Sequence, residues 1–201
     1  MAEQYRRQSA LAHLKLAART MLREEAAVLL CDRGFVGQLS LRGSGDSSFM
    51  AAVEAAIGLA PPATPNLVAE SREARILWLG PDEWLAVVDG EKSGGFWRLL
   101  VEKLADQHAA VADVSEARAV IGLSGPKARE ALAHGCSLDL HPRVFGTGQC
   151  AQTLLARVPV IIHQRSNEPS FDLYVQRSLA EYLWNWLEDA ARPYGVAVVE
   201  G

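Results

Sequence analysis

The sequence predicts an α+β fold: two ferredoxin-like split βαβ halves packed together, behind an N-terminal arm. Three observations predict it. Two amphipathic helical stretches each follow an apolar run of strand type and precede a valine-rich one. Two shorter helical stretches each begin after a strand and a glycine. The order strand–helix–strand–strand–helix–strand then runs twice along the chain. The Leu-x-Gly turns at Leu41–Gly43 and Leu123–Gly125 lie 82 residues apart, so the repeat is one of pattern, with little identity. We assign residues 1–35 to the arm, 36–116 to the first half and 117–201 to the second. One split βαβ unit covers a single sheet face with helices, and two packed together protect more apolar surface than either alone.

The elements follow in order. The arm scatters Leu11, Leu14, Leu16 and Leu22 among basic residues. It fits a tail lying on its own chain, and it fits an arm lying across a partner. "EEAAVLLCDRG" fits a strand and a helix equally well. In "QLSLRGSGDSSFMAAVEAAIG" (38–58) a strand ends at Gly43, Asp46 or Ser47 caps a helix, and Gly58 closes it. "RILWLGPDEWLAVV" (75–88) reads as paired strands 75–79 and 84–88 around a Gly80–Glu83 turn, because proline cannot donate to a ladder and Pro-Asp favours a turn. Trp78 and Trp84 supply cross-strand apolar area. In "GGFWRLLVEKLADQ" (94–107) Phe96, Leu99, Leu100 and Leu104 form a helical stripe, and "AAVADV" (109–114) follows as a strand.

The second half repeats this. In "RAVIGLSGPKAREALAHG" (118–135) a strand ends near Ser124, Pro126 suits the first helical turn and Gly135 the stop. "SFDLYV" leads into "SLAEYLWNWLEDAARP" (178–193), with a stripe of Leu179, Tyr182, Leu183, Trp186 and Leu187. Ser178 and Glu181 have capping-box spacing, and Pro193 supplies a stop. "GVAVVE" (195–200) is the last strand.

The bulk numbers set limits on function. At 201 residues, 49% hydrophobic and 22% charged, the chain buries a core without staples. A net charge of -4 argues against a nucleic-acid partner, which would need clustered Lys and Arg. No run approaches the roughly 18 apolar residues of a membrane helix. The charged N-terminal stretch lacks the apolar core of a signal peptide, and Cys31, Cys136 and Cys150 read as reduced thiols. The expectation is a cytoplasmic protein with no membrane partner.

The chemical motifs are sparse. "RGSGD" offers Gly-x-Gly before a helix, but lacks Gly-Lys-Ser/Thr and the full dinucleotide fingerprint, and reads as a strand–helix turn. His134, Cys136, His141 and Cys150 are permitted zinc ligands at a spacing that matches no closed site. There is no Gly-x-Ser-x-Gly elbow. His163 in "VPVIIHQR" reads as a sheet residue. Asp113 caps a turn between the halves, or is catalytic if it faces a cleft. Asp82 and Glu83 share a hairpin corner, whereas acid–base work needs carboxylates converging on a pocket. We therefore expect no catalytic, cofactor-binding or metal-binding residue in this chain.

Several stretches together carry a resemblance: "RRQSALAHL", "LRGSGDSSFMAAVEAAIGLAPPATPN", "LGPDEWLAVV", and "DVSEARAV" onward through "DLHP" and "GQCAQT" (139–153). Across nearly the whole chain the sequence resembles the gamma subunit family of heterotetrameric sarcosine oxidase. It is more distantly similar to the folate-binding aminomethyltransferase fold, which is itself a doubled ferredoxin-like body. The resemblance implies a cytoplasmic complex of alpha, beta, gamma and delta subunits. That complex oxidises sarcosine to glycine and yields hydrogen peroxide, with formaldehyde or 5,10-methylenetetrahydrofolate. FAD, FMN, NAD, tetrahydrofolate and zinc are expected in the partner chains. In aminomethyltransferases a Gly-rich loop after a strand-end arginine helps hold folate. The loop here, "RSNEPSFDLYV" (165–175), keeps Arg165 and Glu168 as residue types but no glycine, and close backbone approach to a ligand needs glycine. The implied role is a structural subunit that stabilises the large chain. Arg7, Leu11, His13, Leu14, Arg165 and Glu168 are its interface candidates. Trp184 serves either that surface or its own core. The alternative is a stand-alone folate-binding one-carbon transferase with Asp113 or Glu168 pointing into a central pocket.

Overall fold

A computed structural model describes residues 7–19 and 26–201. In the first half, β2 (Val36–Arg42) leads to α1 (Ser47–Ile57), after β1 (Val28–Asp32). There follow β3 (Val68–Glu70), β4 (Ala74–Gly80), β5 (Glu83–Asp89), α2 (Ser93–Lys103) and β6 (Ala110–Asp113). The second half runs β7 (Arg118–Ser124), α3 (Ala128–Ala133), β8 (Cys150–Leu155), β9 (Val158–Ser166), β10 (Ser170–Gln176), α4 (Ala180–Ala191) and β11 (Val196–Val198).

The first sheet has the order β3-β4-β5-β2-β6. Without the short edge strand β3, this is the split βαβ arrangement. The second sheet has the order β11-β1-β7-β10-β9-β8. Here β8 adds an edge, and β1 is inserted where β11 and β7 would otherwise pair. β1 runs antiparallel to β7 and parallel to β11. The reading of residues 1–35 as an arm therefore meets a different structure at its end: 28–32 are a strand of the second sheet. Val28 and Leu30 are fully buried there, so "VLLCD" gains more from a sheet between two apolar neighbours than from an isolated helix.

Alternation along the strands splits the core into three layers. Trp84, Ala86 and Val88 of β5 face α1 and α2, while Leu85 and Val87 face the other sheet. Ile121 and Leu123 of β7, and Phe171, Leu173 and Val175 of β10, face α3 and α4. Val120, Ile161 and Tyr174 face inward against Leu77 and Leu85. The body is thus a helix–sheet–sheet–helix sandwich, joined at one edge by Val68 N donating to Gly148 O and Cys150 N to Asn66 O, both 2.8 Å.

The ends of α1 follow their local chemistry. Asp46 caps α1 by accepting from Phe49 N at 2.9 Å, and Gly58 ends it at φ 77°, a left-handed turn that suits glycine. The Ser178–Glu181 capping box is absent. Residues 177–179 form a 3-10 turn, α4 begins at Ala180, and its N-cap is Leu179. Leu99 is 42% exposed, outside the buried stripe of α2, and Tyr182 is 51% exposed on α4. Trp184, the alternative surface anchor, is fully buried under α4.

Candidate functional site: the layer between the two sheets

Strand register builds one polar row into the layer between the sheets. Cys150 pairs with His163, His163 with Asp172, Asp172 with Gly122, and Gly122 with Cys31. Asp172 is 1% exposed, in the middle of an otherwise apolar strand. A carboxylate there requires charged partners. Arg33, from the β1–β2 connection, places Nε 2.9 Å from Oδ1. Arg165 of β9 places a guanidinium nitrogen 2.9 Å from Oδ2, and Arg75 of β4, in the other half, lies at 3.7 Å. Glu70 of β3 accepts from Arg75 and from Arg165, each at 2.9 Å. Three guanidiniums and two carboxylates thus tie the second sheet to the first.

Gly122 makes this reach possible. A Cβ at that position would lie 2.4 Å from Cys31 Sγ and 2.8 Å from Arg33 Nε. The bare strand lets the Arg33 side chain cross β7 to Asp172.

The electrostatics follow from burial. Burial pushes the Asp172 carboxyl up, but Arg33 and Arg165 beside it prevail and hold it below the usual carboxylate range. His163 is fully buried, and neither ring nitrogen has a hydrogen-bond partner among the described residues. Burial drives its pKa down to about 4, against the pull of Asp172 and Glu70, so it is neutral near pH 7. Burial raises Tyr174, and raises Cys150 to about 12, leaving that thiol protonated and unreactive. Such a row orients and cross-links; it presents no exposed nucleophile.

The sequence candidates fall in separate places. Arg7 lies over the Phe35 ring at 5.4 Å and donates to Ser93 Oγ at 3.3 Å, on the first half. Leu11 is fully buried in the core of the second half, with Leu14 packed against it. His13 Nε2 is 3.1 Å from Glu181 on α4, and Arg19 pairs with Glu188. The described part of the arm therefore lies on its own chain and spans both halves; Leu22 lies outside the described residues. Arg165 is in the ion network, and Glu168 is exposed at the β9–β10 turn. Asp113 accepts from Ser115 N at 3.0 Å, so it caps a turn and does not enter a central pocket. Asp82 and Glu83 lie at an exposed corner beside Arg42, at 3.6 and 2.8 Å. His134 meets Tyr194 and Cys150 meets Trp78 O, so these two possible zinc ligands have separate surroundings. Sequence reasoning missed Arg33, Glu70, Arg75, Gly122 and Asp172. The available signals were a charge inside "SFDLYV" and a glycine inside "AVIGLS".

Comparison with known proteins places this architecture. The model of the sarcosine oxidase gamma subunit family matches residues 42–193. The sarcosine oxidase subunit gamma of Corynebacterium sp. (strain U-96) is 36% identical over 195 residues, covering 96% of this chain and 94% of that one. A chain in the solved heterotetrameric sarcosine oxidase from Corynebacterium sp. U-96, in complex with pyrrole 2-carboxylate, superposes with TM-score 0.85. It is 34% identical, with 97% of this chain and 98% of that chain covered. The glycine cleavage system aminomethyltransferase T from Bartonella henselae shares the fold, with TM-score 0.66 at 16% identity, covering 94% of this chain and 51% of that one.

Proposed function

The chain belongs to the sarcosine oxidase gamma subunit family, and on that premise we propose that it is the non-catalytic, assembly-stabilising subunit of such an oxidase. Its partners in this reading are the alpha, beta and delta subunits. FAD, FMN, NAD, tetrahydrofolate and zinc reside on those chains, and the complex works in the cytoplasm. The reaction is oxidative demethylation of sarcosine to glycine, with hydrogen peroxide and either formaldehyde or 5,10-methylenetetrahydrofolate.

The observation that carries the reading is the filled layer between the sheets. Arg33, Arg75 and Arg165 close on Asp172 and Glu70, and Leu77, Leu85, Val120, Ile161 and Tyr174 pack beside them. A transferase would need that space for its substrate. Arg7, His13 and Glu168 are exposed and keep their proposed interface role. Leu11, Leu14 and Arg165 serve the chain's own integrity, and through it the shape a partner meets.

Affinity purification of the tagged chain from its host, with an absorption spectrum and tetrahydrofolate titration, tests this. A yellow complex containing larger chains is expected. A colourless lone chain that binds tetrahydrofolate overturns the proposal in favour of a transferase.

A further inference from the structure

The row that holds Asp172 has a counterpart at the end of the same sheet. Four residues along the strands from Gly122, Asp172, His163 and Cys150 stand Arg118, Gln176, Pro159 and Leu154. Strand alternation keeps all four on the face that looks toward the first sheet. Four residues of strand span about 13 Å, and over that distance the layer between the sheets opens to solvent. Gln176 and Pro159 are exposed, and Leu154 is 54% exposed. The first sheet borders this end with half-buried Leu79, whose O accepts from Gln152 Nε2 at 2.9 Å.

A guanidinium taken partly out of water needs acceptors for its donors. Half-buried Arg33, Arg75 and Arg165 each meet Asp172 or Glu70, and half-buried Arg129 donates to Leu140 O and Phe145 O. Among the described residues, Arg118 is the one half-buried arginine whose guanidinium makes no hydrogen bond or ion pair. Burial pulls its pKa below the ordinary arginine value, and Glu83 is the carboxylate that acts against this. Glu83 is already held by Arg42 at 2.8 Å, and Asp82, 3.6 Å from the same arginine, is exposed. The backbone beneath Arg118 is fixed: it pairs with Gln176, and its O accepts from Gln38 Nε2 at 3.0 Å. Binding there has only a side chain to order.

We infer that this open end of the inter-sheet layer docks a carboxylate-bearing segment of another chain of the oxidase complex, with Arg118 as the anchor; this rests on the subunit reading. Charge selects the chemistry of the occupant. The planar fork of an arginine with unfilled donors matches a carboxylate in two parallel hydrogen bonds. Leu79, Leu154 and Pro159 border it with apolar surface, and a charge pair ringed by such contacts is shielded from water once a partner covers it. Width selects a polypeptide over a small carboxylate. From β7 to β8 the end spans three strand spacings, about 14 Å, and it is open along that whole length.

The test co-expresses the tagged chain with the other oxidase chains of its host, as wild type, as Arg118→Gln and as Arg98→Gln. Arg98 is an exposed arginine on α2, away from this end, and controls for loss of one positive charge. Co-purified partner is measured by native mass spectrometry, and each isolated variant by its thermal melt. Arg118→Gln is expected to lower partner recovery roughly tenfold or more, while Arg98→Gln assembles as wild type. The melt of the isolated Arg118→Gln chain should stay level or rise, because the substitution removes a partly buried charge that has no partner within the chain. A lower melt makes Arg118 structural and overturns the inference, as does normal assembly of Arg118→Gln or equal loss with Arg98→Gln. An acetate-induced rise in the melt that needs Arg118, together with normal assembly, assigns the end to a small carboxylate and also overturns it. So does a wild-type dimer of this chain alone that Arg118→Gln dissolves. In all of these the subunit reading stands. If wild type recovers no oxidase chain, that reading fails first and the inference with it.

Discussion

His163 makes stability depend on pH in a window that can be stated in advance. It is fully buried in the sheet-to-sheet layer, and its pKa of about 4 lies below the ordinary 6.5. The unfolded chain therefore binds a proton more readily than the folded one between those values. Stability is fully present above pH 6.5, falls as the pH drops towards 4, and levels off below it. A gap of about 2.5 pKa units corresponds to about 3 kcal/mol at the acid end, and to about 2 kcal/mol between pH 7 and pH 5. His163→Phe removes the titration and roughly preserves ring volume. Urea unfolding of both proteins at pH 7 and pH 5 isolates the effect, because every other titrating group is common to them. Wild type is expected to lose about 2 kcal/mol more than the variant, about 1 M in urea midpoint. Equal losses would refute the argument, because they would mean that His163 is hydrated or charged in the folded protein. Asp172 acts in a separate window. Its folded pKa is depressed, so its contribution is present above the ordinary carboxylate value and fades only as pH falls through the lower folded one.

Three further outcomes follow from the same contacts. Asp172→Asn should destabilise the chain by about 3–5 kcal/mol, because Arg33 and Arg165 lose their shared charge in a buried site; denaturant melts at neutral pH measure it. Gly122→Ala should cost about 1–3 kcal/mol, since the new methyl meets Cys31 Sγ and Arg33 Nε, and Arg33→Ala in the same background should then cost less than it does in wild type. Leu11→Ala should cost about 2–5 kcal/mol by emptying a fully buried site, and should expose residues 7–19 to limited proteolysis first.

The fold was legible where a local pattern carries its own period. Phe49, Val53, Ala56 and Ile57 mark one face of α1, and Asp46 and Gly58 mark its ends. Pro81-Asp82 set the hairpin, whose tryptophans pair in register as Trp78 and Trp84. Legibility failed where the deciding partner is far away in sequence. "VLLCD" has no preference of its own between helix and strand; β7 and β11, about 90 and 170 residues on, decide it. Ser178 and Glu181 have the spacing of a capping box, but β10 delivers the chain into a 3-10 turn that starts the helix one residue later, with Leu179 at the N-cap. The site was the least legible part. Its five charges come from β3, β4, the β1–β2 connection, β9 and β10, and no local spacing links them.

The insertion of β1 explains why the two halves, alike in element order, form one body. In the first half the strand order closes on itself, and its helix layer is complete with α1 and α2. In the second half β11 joins the sheet by pairing with β1, which in turn pairs with β7, so that sheet depends on residues N-terminal to the first half. The same connection supplies Arg33, which crosses at Gly122 to reach Asp172, while Arg75 and Glu70 approach from the first half. The chain thus leaves the second lobe, builds the first and returns, and the ion network locks the crossing. A ligand pocket at that crossing would require breaking the contacts that join the lobes. A docking subunit instead gains from them, because a fixed angle between the lobes presents a partner with one shape.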